Sequence, residues 1–168
     1  MNLIYRFLSV SKPLPNANLL VFEGWVFNRI WLHSQIKECI ESGNYNTILV
    51  VGNKSGDVAR QLITGIRSDE AHADDFSMKN KTPNIIFVDM PFIENHWTFS
   101  SAIYCRNWVK NHLPEIRRIN ICTIRYHSRK SWIVYKRVFK GSADIGIISL
   151  TTHHKKRTWR FMHPRRIK

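Results

Sequence analysis

"INICTIRYHSRKSWIVYKRVF", residues 119–139, decides the fold. Its first six residues, "INICTI" (119–124), are a short apolar run of the kind a buried strand requires. The next residues, "RYHSRKS" (125–131), are polar and basic. From "SRKSWIVYKRVF" (128–139) onward the apolar spacing becomes helical, and Gly141 supplies the stop. A strand, a short polar turn and a helix in that order make one half of a βα crossover unit.

The same unit recurs upstream. "NLLVF" (18–22) precedes "FNRIWLHSQIKECIESG" (27–43), in which Ile30, Ile36 and Ile40 form the expected buried stripe and Gly43 the stop. "TILVVG" (47–52) precedes a short helical segment, "GDVARQLITGI" (56–66). "NIIFVD" (84–89) precedes "HWTFSSAIYCRNWVKNHL" (96–113), ended by Pro114. "DIGIISL" (144–150) is a fifth strand. Four strand–helix units and a closing strand predict an α/β chain: a Rossmann-like, doubly wound, mostly parallel five-stranded sheet with helices on both faces. Residues 1–150 are read as one domain. Residues 67–83 read as a polar surface loop, and residues 151–168 as a basic C-terminal tail without periodicity.

Charge is distributed unevenly along the 168 residues. Residues 1–116 carry 11 basic and 11 acidic side chains, whereas residues 117–168 carry 15 basic side chains and a single acid, Asp144. The formal net charge of +14 therefore belongs to the last third. Such a field attracts nucleic acid, anionic membrane surfaces or phosphorylated ligands without choosing among them. Cys39, Cys105 and Cys122 are odd in number and lack metal-site spacing, which argues against a disulfide framework and a structural zinc site. His153, His154 and His163 could bind a metal ion, but adjacent histidines point apart in most backbones, which argues against it. No apolar run reaches the length of a membrane span, and the N-terminal segment is too interrupted for a signal peptide. A cytoplasmic location is the expectation.

In an open α/β sheet, ligands bind beyond the carboxyl ends of the strands. That rule selects "EGW" (23–25), "GNKSG" (52–56), "DMPFIENHWT" (89–98) and "RYHSRKS" (125–131). Glu23 is the acid of the first loop, suited to a ribose hydroxyl, a cation or a neighbouring Arg, with Gly24 and Trp25 beside it. Gly52, Asn53, Lys54 and Ser55 resemble a phosphate-cradling turn, though a plain strand–helix turn reads the same way. Thr98 opens the third long helix, where Trp97 and Trp108 are read as packing residues. Ser128 and Ser131 lie in the first turn of the last helix, with Arg129 and Lys130 between them. Cations at a helix start oppose the dipole, which argues for a bound anion there. His127 at the same place is suited to general acid–base work or to a phosphate contact.

Four segments resemble the YdcF/SanA/ElyC-like family of bacterial α/β proteins. "ANLLVFEGW" (17–25) is similar to the opening strand of one branch. "GNYNTILVVGN" (43–53) is similar to its glycine, strand and turn, with Asn53 in place of the usual second glycine. "WTFSSAIYCRNWV" (97–109) is similar to a helix preceded by Thr, and "HSRKSWIVYKRVF" (127–139) to an H-A-R-R-S helix start, with Lys130 for the second Arg. The resemblance spans residues 17–150. It implies the Rossmann-like fold, a site at the carboxyl ends, a connection with the cell envelope and surface polysaccharides, and S-adenosylmethionine as a possible cofactor. It implies no particular reaction.

The leading expectation is an anionic small-ligand site for a nucleotide, S-adenosylmethionine or a phosphorylated lipid or sugar carrier, with a transferase or hydrolase as the matching enzyme class. Arg129, Lys130 and the backbone near Ser128 would hold the anion, His127 would move or orient a proton, and Glu23 and Thr98 would complete the pocket. The alternative expectation is a nucleic-acid-binding or anionic-membrane-docking module using residues 117–168.

Overall fold

The computed structural model describes residues 3–52, 59, 61, 83–91 and 95–151. A six-residue helix, α1 (Leu3–Leu8), leads into β1 (Leu19–Glu23). Two short 3-10 turns and α2 (His33–Ser42) connect β1 to β2 (Thr47–Gly52). Then follow β3 (Asn84–Asp89), α3 (Trp97–His112), β4 (Arg118–Ile124), α4 (Ser128–Val138) and β5 (Asp144–Leu150). The sheet is wholly parallel, in the order β3-β2-β1-β4-β5. This is the α/β, Rossmann-like arrangement, with the strand order reversing at β1 and β4.

Period-two alternation divides the strand side chains between two layers. Leu20 and Phe22 of β1, Ile48 and Val50 of β2, Cys122 of β4 and Ile148 of β5 face Ile36, Cys39 and Ile40 of α2. Leu19 and Val21, Leu49 and Val51, Ile119 and Ile121, and Ile147 face Ala102, Cys105 and Val109 of α3 with Tyr135 of α4. Burial on both sides explains why the strands read as continuous apolar runs rather than alternating ones.

One helix differs from the expectation. Residues 24–28 and 30–32 form 3-10 turns, and the α-helix begins only at His33. Ile36 and Ile40 are buried as expected, but Ile30 is 80% exposed, because the shorter turn carries its side chain off the inner stripe. Trp108 is half-buried against the α3–α4 layer and stacks on His112 with ring centroids 4.4 Å apart. Cys39, Cys105 and Cys122 are free and buried. Among the described residues, no helix is long and apolar enough to cross a membrane. The segment 56–66, apart from helical Ala59 and Gln61, lies outside the described residues. So do the loop up to residue 82 and the tail from 152.

At the amino end of the sheet, Asn120 staples the N-terminal connection to β4. Its Oδ1 accepts from Leu14 N–H at 2.8 Å, and its Nδ2 donates to the Leu14 carbonyl and to the Tyr45 hydroxyl, each at 3.1 Å. Further along, Lys12 bridges to Ile147, and α1 is thereby brought to the carboxyl end, against α4.

Candidate functional site at the carboxyl ends of β1 and β4

Glu23 follows Leu19 and Val21 on the β1 row that faces α3 and α4. On β4, Ile119 and Ile121 pair with Leu19 and Val21, and Thr123 continues that row beside Glu23. The result is a fully buried carboxyl group at the point where the strand order reverses. Thr123 Oγ1 donates to Glu23 Oε2 at 2.6 Å. Ser131 Oγ lies 3.0 Å from Oε1 and 3.1 Å from Oε2. Burial pushes the Glu23 carboxyl above its ordinary value. Hydrogen bonds from Thr123, Ser131 and Trp25, together with the charge of Lys130, pull in the opposite direction and do not overcome it.

Helical spacing sorts the residues of "HSRKS" onto different sides of α4. Ser128, Ser131 and Tyr135 are buried toward the sheet, whereas Lys130 is exposed. Ser128 Oγ accepts from Val10 N–H at 2.8 Å and lies 2.7 Å from the Arg125 carbonyl oxygen. Arg129 Nε donates to the Phe7 carbonyl, and its guanidinium lies 4.1 Å over the Phe7 ring. Ser128 Oγ also donates to the Leu8 carbonyl at 3.3 Å, so Arg129, whose side chain was expected on an anion, and Ser128 both hold α1.

His127 ends the turn of residues 125–127. Its ring meets Trp25 edge-on at 4.9 Å and Tyr126 at 4.6 Å. Burial, and secondarily the nearby Lys130 charge, lower its pKa, so the neutral imidazole predominates at neutral pH. Lys130 acts electrostatically on both Glu23 and His127. The Glu23 carboxyl at the end of β1, the His127 imidazole in the turn after β4 and Lys130 in the first turn of α4 therefore lie at the same end of the sheet, Glu23 buried and Lys130 exposed.

The remaining expected residues are arranged around this centre. Gly24 is buried and Trp25 half-buried in the turn after β1. Gly52 ends β2, pairs with Asp89 and accepts from Met90 N–H at 3.3 Å. Asn53, Lys54 and Ser55 lie outside the described residues. Thr98 is buried in the first turn of α3, one turn before Ser101, whose hydroxyl lies 3.8 Å from Met90 Sδ.

Two participants were missed by sequence reasoning. Thr123 sits inside an apolar strand, and only its register beside Glu23 marks it; alternation from Ile119 would have found it. Tyr135, one helical turn beyond Ser131, has a buried hydroxyl with no hydrogen-bond partner among the described residues. Burial raises its pKa, and the neighbouring Cys105 and Glu23 add to the effect. Among the described residues, no group of acids, histidines and cysteines is arranged to hold a metal ion. Comparison with family models, curated proteins and solved structures gives no match to this chain.

Proposed function

We propose that the protein binds an anionic small ligand where β1 and β4 end. The candidate ligands are a nucleotide, S-adenosylmethionine, or a phosphorylated lipid or sugar carrier. The placement of Glu23, His127 and Lys130 at the carboxyl ends of β1 and β4, with the Trp25 ring 4.9 Å from His127, supports this reading. Lys130 is the exposed cation of the three and would receive a phosphate or carboxylate oxygen. His127, neutral near pH 7, would accept a proton or donate its N–H to the same group. Glu23 would act from beneath, holding the Ser131 and Thr123 hydroxyls in place. This assignment shifts the anion contact from Arg129 to Lys130, because Arg129 is engaged with Phe7.

A transferase or hydrolase acting on a phosphorylated substrate is the enzyme class suited to these groups. The resemblance to YdcF/SanA/ElyC-like proteins extends the proposal to a cell-envelope setting. The test is equilibrium binding of ADP, S-adenosylmethionine and a polyprenyl phosphate to wild type, Lys130→Ala and His127→Ala. A charge-assisted hydrogen bond contributes about 1.5–3 kcal/mol, so Lys130→Ala should weaken the bound ligand at least about tenfold. Unchanged affinity in both variants, or no binding by wild type, overturns the reading.

The 15 basic residues against one acid in 117–168 support a second reading, nucleic-acid binding. It requires affinity for a DNA or RNA duplex that falls steeply with salt and is unaffected by His127→Ala.

A further inference from the structure

The short helix α1 is firmly attached yet presents Leu3, Ile4 and Phe7 outward. Arg129 donates to the Phe7 carbonyl, Ser128 accepts from Val10 N–H at 2.8 Å, and Lys12 pairs with Ile147. These contacts place α1 at the carboxyl ends of β4 and β5, against α4 and the turn 125–127. Leu3, Ile4 and Phe7 are nevertheless 82%, 63% and 62% exposed. In the turn that α1 touches, Tyr126 is 46% exposed. Single exposed apolar residues need no explanation, but three on one anchored helix are a patch that water disfavours.

The charges around the patch are mostly positive. Arg6 of α1 is exposed, Arg129 stacks on Phe7, and Lys130 is exposed on α4, against which α1 packs. Among the described residues at this end, Glu23 is buried and Asp89 is the exposed acid, at the edge strand β3. We infer that this rim docks on an anionic lipid bilayer, with Leu3, Ile4 and Phe7 entering the interface and the cations meeting phosphate headgroups. Aliphatic side chains flanked by Arg and Lys, with Tyr126 in the adjoining turn, match the chemistry of that interface. A nucleic-acid backbone would leave Leu3 and Ile4 unused, and a second copy would bring like charges together.

Co-sedimentation of the full chain with vesicles made of equal parts phosphatidylcholine and phosphatidylglycerol tests the inference. Wild type should bind these vesicles at least about tenfold better than pure phosphatidylcholine vesicles. The doubly substituted protein Leu3→Ser/Phe7→Ser should lose at least about tenfold on the mixed vesicles while keeping its far-ultraviolet circular dichroism. Equal binding by wild type and the double variant would assign any lipid affinity to charge elsewhere and overturn the inference. Absence of wild-type binding would also overturn it, as when another segment of the chain covers the patch. Loss of duplex binding in the double variant, without loss of vesicle binding, would assign the face to nucleic acid instead. The substitutions avoid Lys130 and His127, so soluble-ligand binding should persist in the double variant, and the two readings fail separately.

Discussion

Asn120 and Glu23 are buried polar residues on neighbouring strands, and they differ in kind. Asn120 lies near the amino end of the sheet, in the layer facing α2, where its amide is matched by Leu14 and Tyr45. Glu23 lies at the carboxyl end, in the layer facing α3 and α4. It also has hydrogen-bond donors, yet burial still raises its pKa, and the Tyr135 hydroxyl has no hydrogen-bond partner among the described residues. A satisfied neutral network stabilises; a buried ionisable group with an orphan beside it is costly. The contrast separates a structural staple from a candidate site within one sheet.

The largest expected effect comes from disturbing the staple. A Cβ at Gly146 would collide with Asn120 Oδ1 and lie 2.6 Å from the Leu14 backbone nitrogen. Gly146→Ala must therefore separate Leu14 from Asn120, at a cost of about 3 kcal/mol from overpacking and lost hydrogen bonds. Urea unfolding measures it, and a loss below about 1 kcal/mol would show that the staple is dispensable.

Glu23 should respond to pH instead. Because its folded pKa is raised above the ordinary 4.5, its favourable contribution is complete below that value. That contribution then diminishes as pH rises through the folded pKa. Glu23→Gln keeps an acceptor for Thr123 and Ser131 but cannot ionise. Its stability relative to wild type should therefore increase with pH above 4.5, as read by urea unfolding across acidic to neutral pH. A difference independent of pH would mean that Glu23 titrates alike in the folded and unfolded chains.

Tyr135→Phe is the smallest change and the most direct probe of the orphan. Removing a buried hydroxyl with no partner among the described residues should be neutral or stabilising, by up to about 1 kcal/mol in thermal unfolding. Destabilisation by a similar amount would place Tyr135 in a satisfied network, and the two ends of the sheet would then be alike.

Most of the fold was legible because its signals are local. The runs 47–52, 84–89 and 144–150 coincide with β2, β3 and β5. The helices starting near residues 97 and 128 also lie where apolar spacing changes from strand to helix. Ile30 was misplaced because a 3-10 turn and an α-helix share apolar spacing over a few residues. At the site, Glu23 and His127 were legible from their positions after strands. Thr123 was not, since a Thr inside an apolar strand reads as ordinary β composition.

The sequence by itself determined the strand–helix alternation, the loops that hold polar residues, and the concentration of charge in residues 117–168. Tertiary structure decided which of those polar groups meet. Ser131 reaches Glu23 across 108 residues, and Arg129 reaches Phe7 across 122. Both contacts depend on β4 pairing with β1 and on α1 returning to the carboxyl end. Periodicity reports which face of its own element a residue occupies; strand order and chain path determine what lies opposite.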